Sequence, residues 1–226
     1  PALVGQFDFV VGNPPWVRWG YLSSEYKDAT KHLWFEYGLF SLGGAEAQLG
    51  GGEKDLSMLF TYVSADKYLR NGGRLGFVIT QVVFKAKGAG EGFRRFRLGT
   101  RDHLGILAVD DMVDLQPFSG AANRTAIVVL KKGTHTRYPV SYTHWSKVAS
   151  FDEDATLSDV TAATRRRNQY AEPIGGNTVG PWQTGSKAEL KVLKRVVGPS
   201  AYTAHIGART DPYGVYWVQI LEKLPD

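Results

Sequence analysis

No cysteine occurs in the 226 residues. That excludes disulfides and Cys-ligated zinc, and it fits a reducing cytoplasm, where we expect the protein to reside. No apolar run approaches the roughly 20 residues that span a bilayer. No signal peptide opens the chain, so no membrane partner is expected, and no metal site is expected either. Internal repeats are also absent. The positive charge is in modest excess, net +5 with a pI near 9.3. Such a balance suits a polyanionic partner without specifying one. What is present is enough for a core: 43% of residues are hydrophobic, which excludes wholesale disorder. The length allows one full domain, or one domain and part of another. The chain begins with Pro1 rather than Met, and strand-like sequence starts within a few residues. We expect a fragment whose natural N-terminal part is missing.

The stretch Val10-Val11-Gly12-Asn13-Pro14-Pro15-Trp16 organises the rest. Phe7 to Val11, interrupted only by Asp8, reads as a buried strand. The prolines have no N–H and cannot continue a central ladder, and Pro14 keeps Asn13 out of the helical region. The expectation is a stiff extended turn at the carboxyl end of a strand, where open α/β sheets place their ligands. Asn13 offers an amide, the prolines offer carbonyls, and Trp16 offers a flat face. Such a set suits an exocyclic amino group on a flat ring. A lone Asn-Pro-Pro-aromatic tetrapeptide is also a common proline turn, so the surrounding elements must decide.

Those elements come in a parallel βαβ order. Leu56, Leu59, Phe60, Val63 and Leu69 fall at helical spacing, with Asp55 as N-cap and Asn71-Gly72-Gly73 as the stop. Arg74 to Thr80 reads as the next strand. Leu104–Val109 and Thr125–Leu130 read as two more. Lys27 to Phe40 is expected to be helical, and Gly43-Gly44 and Gly50 to Gly52 to bracket a mobile loop. Phe93 to Leu98 is expected to be a helix whose Arg94, Arg95 and Arg97 form a solvated face or touch phosphate. Tyr138 to Trp145 is expected to be a strand of a different layer. Lys187 to Val197 reads as a short helix.

Phe7 to Trp16 resembles the catalytic motif of the amino-group methyltransferases that use S-adenosylmethionine, above all the adenine-N6 DNA methyltransferases of type IIG and type II restriction–modification systems. The resemblance covers residues 7–132 well and 133–226 loosely. It implies an α/β fold: the C-terminal half of a Rossmann-like methyltransferase sheet in residues 1–133, then a linker and the beginning of a target-recognition region in residues 134–226. Four mainly parallel strands with helices on both faces are expected, the last strand running antiparallel. Ile206 to Trp217 resembles the entry to the recognition region. Asn13, Pro14, Pro15 and Trp16 would be the catalytic turn, and Trp16 with Phe118 would hold the base. Phe118 as core is the alternative. Arg18, Lys131, Lys132 and Arg209 would meet phosphates.

The implied partner is double-stranded DNA with a flipped adenine, together with the remaining part of the same enzyme. The implied cofactor is S-adenosylmethionine, held mostly by residues upstream of Pro1, so this chain alone should bind it weakly and be inactive. A second placement puts the cofactor on Gly88-Ala89-Gly90-Glu91-Gly92 with Asp110 on the ribose. In this chemistry the Asn13 side-chain oxygen and the Pro14 carbonyl would accept the two N–H bonds of adenine N6 and turn its lone pair toward the methyl donor. Competing readings are a protein-glutamine or ribosomal-RNA amino methyltransferase, which carries a similar turn, and a non-catalytic DNA-binding or assembly module.

Overall fold

A computed structural model describes residues 4–40, 54–198 and 202, apart from 89, 100, 101, 119, 121, 122 and 153. The glycines at 43–44 and 50–52, the run 206–217 and Arg209 therefore lie outside the described residues. One eight-stranded sheet dominates. Its strands are β1 (Phe7–Gly12), β2 (Leu69–Thr80), β3 (Arg97–Leu98), β4 (Asp102–Asp114), β5 (Thr125–Lys132), β6 (Val140–Lys147), β7 (Thr164–Pro173) and β8 (Trp182–Gly185). They lie in the order β1-β2-β5-β4-β6-β7-β8, with β3 paired to β4. The helices are α1 (Ser24–Glu36), α2 (Leu56–Lys67), α3 (Val82–Lys85), α4 (Leu157–Ala162) and α5 (Lys187–Val196).

β1 and β2 pair in parallel across α2, as an apolar strand, helix and strand in succession require. The Asp55 carboxylate accepts the Ser57 N–H at 2.9 Å and caps α2. β5 runs antiparallel to both β2 and β4, so the last of the four expected strands does reverse, within a hairpin. Alternation decides what is buried. Leu75, Phe77 and Ile79 of β2 stand beside Leu130, Val128 and Ala126 of β5, and all are buried in the main core. The intervening Gly76, Val78, Ile127 and Val129 are half-exposed.

Three expectations change. First, helices do not cover both faces evenly. α2 lies on the Leu130 face, where the Lys132 ammonium donates to the carbonyls of Asp66 and Leu69 at 2.7 and 3.2 Å. The other face carries α5 over its far end, through Lys194–Glu172 at 2.7 Å and the Lys187 ammonium over the Tyr170 ring. Near β1 that face is open, with Phe9 and Val11 68% and 81% exposed. Second, Tyr138 to Trp145 does not start another layer. β6 pairs in parallel with β4, and β7 and β8 extend the same sheet through Gly185. Tyr142 and Val140 bury into the core that β4 begins, and this burial outweighs the change of sequence pattern at Gly133.

Third, Phe93 to Leu98 is not a helix. It is a single 3-10 turn, Phe93–Arg95, ended by Phe96 at φ 47°. Arg94 is the reason. It is 1% exposed, and its guanidinium donates to the carbonyls of Val83 (2.5 Å), Ala86 (3.0 Å) and Val179 (2.8 Å). Burial pulls its pKa down to about 10, which leaves it a cation at neutral pH. It is a tie between distant segments, and neither a solvated residue nor a phosphate contact.

Candidate functional site

The turn Asn13–Trp16 leaves the carboxyl end of β1 as the prolines demand. Pro14 is buried while Asn13 and Pro15 are exposed. Trp16 is half-buried and its indole N–H donates to the Val78 carbonyl of β2 at 3.1 Å. Beyond it the chain is pinned again: Trp19 N–H donates to Lys54 O at 2.7 Å and Leu56 N–H to Val17 O at 2.9 Å. Trp19 is buried against Trp34 and Phe40. A rigid scaffold therefore holds an exposed amide at a sheet end.

Phe118 arrives from the loop between β4 and β5. Its ring lies 5.0 Å from that of Trp16, at an interplanar angle of 67°, an edge-on arrangement that aromatic quadrupoles favour. Phe118 is 37% exposed, so it sits at the rim of the sheet and not in the core. The two rings and Asn13 thus share one end of the sheet.

The other predicted contacts scatter. Lys132 is buried and committed to the two carbonyls named above, which takes it out of contact with phosphate. Lys131 is half-buried on the opposite face. Arg18 is exposed, and its backbone bridges that of Asp55. Burial pushes the Asp55 carboxyl up, while Ser57 and the Arg18 charge pull it down.

The glycine segment 88–92 makes no cofactor cradle. A Cβ on Gly90 would stand 2.1 Å from the Val83 carbonyl and 2.2 Å from the Arg94 guanidinium, and one on Gly92 2.5 Å from the carbonyls of Gly38 and Leu39. These glycines are required by close packing. Asp110, the residue that would bind ribose in that placement, accepts the Trp145 indole N–H at 2.8 Å. The described residues do not fit S-adenosylmethionine there. Nor does any group of three His, Asp or Glu among them have the spacing to hold a metal.

One polar group at this sheet end escaped the sequence reading. Asp111 is buried and accepts from the Gln81 amide at 3.1 Å, from the Tyr142 hydroxyl and from the Val113 N–H. Lys85 lies over the Tyr142 ring at 5.2 Å and donates to Thr184 Oγ1 at 3.1 Å. Burial lowers the Lys85 pKa and raises that of Tyr142. Every member is satisfied, so the group acts as a clamp between β2, β4 and β6. The alternation Val109, Asp111 in a buried strand was the available signal.

The structure thus presents an eight-stranded mixed sheet with an Asn-Pro-Pro-Trp turn at a strand end. A model of the Eco57I restriction-modification methylase family matches residues 2–118, and the chain belongs to that family. That span holds the turn and Phe118. Among solved structures, the chain is similar to a nuclease-deletion mutant of the type ISP restriction-modification enzyme LlaGI in complex with a DNA substrate mimic. There the identity is 17% over 75% of this chain and 14% of that one, with a TM-score of 0.43. For the type IIG restriction endonuclease BpuSI the values are 13%, 74%, 19% and 0.46. For the type I methyltransferase subunit from Streptococcus thermophilus they are 14%, 72%, 31% and 0.43. The chain thus spans between 14% and 31% of these proteins. No curated protein matches. No helix among the described residues is long and apolar enough to cross a membrane.

Proposed function

We propose that the chain carries the catalytic turn of a cytoplasmic, S-adenosylmethionine-dependent methyltransferase that modifies N6 of adenine in duplex DNA, within a restriction–modification or phage-defence system. The observation that carries this is the convergence of Asn13, Trp16 and Phe118 at one sheet end. Two rings edge to face beside an exposed amide make a place for a flat base with an exocyclic amino group. Asn13 Oδ1 and the Pro14 carbonyl accept the N–H bonds of that group, which raises electron density on nitrogen and fixes its orientation. Positioning of this kind contributes up to about 7–11 kcal/mol in favourable cases. The base must leave the duplex at a cost of a few kcal/mol, and stacking on Trp16 returns roughly 1–3 kcal/mol.

Residues 134–226 are assigned to a linker and the beginning of a target-recognition region, though β6 to β8 continue the catalytic sheet. The exposed Phe9 and Val11 on the outermost strand suit burial by the remaining part of the same enzyme, which would also hold the methyl donor. The 226-residue chain alone is accordingly expected to be inactive and to show no low-micromolar binding of S-adenosylmethionine by calorimetry. Low-micromolar binding by this chain would return the cofactor to the glycine segment.

Trp16 separates two requirements. Trp16→Ala removes the stacking face and should weaken both substrate capture and turnover. Trp16→Phe keeps a flat ring and loses only the bond to Val78, about 0.5–1.5 kcal/mol, so it should retain activity within about tenfold. Equal loss in both variants, read from kcat and KM, contradicts a stacking role. The proposal as a whole is tested by offering the full-length enzyme labelled S-adenosylmethionine with duplex DNA, ribosomal RNA and release factor in turn. Label is expected in DNA alone. Label in a glutamine side chain or in RNA would transfer the assignment to one of the related amino methyltransferases.

A further inference from the structure

The rim that carries Asn13 continues across the sheet. β2, β4 and β6 end there and β5 and β7 begin there. It ends at Arg165-Arg166-Arg167 in β7, all exposed. Five strand spacings separate β1 from β7, about 24 Å at ~4.8 Å each, or roughly seven base pairs along a duplex at ~3.4 Å each. Between the two lies a groove of about 670 Å³, lined by the Leu115–Phe118 loop and by Lys147, Phe151 and Asp152. The groove thus starts at the ring that faces Trp16. Lys147 stands over Phe151 at 4.5 Å and Arg166 over Trp145 at 5.1 Å.

Resting on the reading of this site as a DNA-modifying one, we propose that the groove and the β7 arginines hold the phosphodiester backbone flanking the displaced base. Charge and geometry both favour a nucleic-acid strand. Arg165 and Arg167 stand opposite Ser146 and His144 on one face, and Arg166 on the other. β8 pairs only with Tyr170–Pro173, so among the described residues Arg165–Asn168 is an exposed edge, with Arg166 over the Trp145 ring and Arg167 near enough to Glu189 for that carboxylate to feel its charge. Three of the rim's acids are held internally: Asp110 by the Trp145 indole, Asp111 by Gln81 and Tyr142, and Asp114 by His144 at 3.0 Å. Glu189, which faces Arg167, accepts the Ser186 N–H at 2.6 Å. Asp152 is the acid in the groove lining. Guanidinium forks suit phosphate, and rings beside them suit unstacked bases. The competing role is protective, since charged side chains on an edge strand block pairing with other chains.

The test is a salt titration of DNA affinity, using fluorescence anisotropy of a labelled duplex and the full-length enzyme. The variants are the triple Arg165→Gln, Arg166→Gln, Arg167→Gln and the matching triple Lys. The Gln variant should flatten the slope of log K against log salt by about 2.7, at ~0.9 per phosphate contact. The Lys variant should leave the slope unchanged, which also shows that the strand tolerates substitution. A Gln variant that keeps the wild-type slope, whether or not it aggregates, overturns the inference and leaves the function reading intact. A wild type with no salt-dependent DNA affinity removes the function reading itself, and this inference with it.

Discussion

Asn13→Ala is expected to lower methyl transfer to DNA by about a hundred- to a thousandfold in the full-length enzyme, the range for loss of one preorganised hydrogen-bonding group. DNA affinity should stay within about twofold, because affinity rests mainly on phosphate contacts elsewhere. The fold makes this a clean substitution. Asn13 is exposed, Pro14 and the Trp16–Val78 bond set the path of the turn, and the buried Trp19 anchors the chain beyond it. Ala removes the acceptor without loosening the scaffold. The readout is tritiated methyl incorporation into duplex DNA, paired with a binding titration at fixed salt. Wild-type turnover in Asn13→Ala reduces the turn to a proline corner.

The second large effect is on stability. Arg94→Ala is expected to destabilise the protein by about 3 kcal/mol, since one buried carbonyl and two half-buried ones lose their donor at roughly 1 kcal/mol or more each. The carbonyls belong to Val83, Ala86 and Val179, so the damage spreads to the contact between the α3 region and the segment preceding β8. Gly90, against which the guanidinium packs, would face a void. Urea denaturation monitored by tryptophan fluorescence reads the loss as a lower midpoint. Arg94→Met keeps the stem volume and should recover only part of it. A midpoint shift equivalent to less than about 1 kcal/mol, the net worth of one ordinary hydrogen bond, contradicts the interior role.

One physical division separates the legible features from the hidden ones. Apolar runs bounded by turns located β1, β2, β4 and β5, and the Asp55 cap the start of α2, because patterning and capping are local signals. The Asn13 turn was legible for the same reason. β1 is nonetheless an exposed strand and not the buried one expected, and Leu69 to Gly73 open β2 in place of the expected helix end. β4 runs five residues beyond Val109, to Asp114, because the donors that satisfy Asp110 and Asp111 come from Trp145, Gln81 and Tyr142, far off in sequence. Arg94 and Lys132 read as surface residues by type. Carbonyls brought together by tertiary structure make them interior ones, and the flanking Phe93 and Phe96 were the only hint for Arg94. Gly90 and Gly92 read as a cofactor loop or a flexible connection by pattern, yet their reason is close approach of backbone. The pairing of β6 with β4 crosses about 30 residues, and local pattern does not encode it.

Methylation of adenine by this turn is tested most directly by the modified nucleoside itself. DNA from cells producing the full-length enzyme, digested to nucleosides and examined by mass spectrometry, should contain N6-methyldeoxyadenosine with the wild type and none above background with Asn13→Ala. N4-methyldeoxycytidine in its place, or N6-methyldeoxyadenosine undiminished by Asn13→Ala, would contradict it.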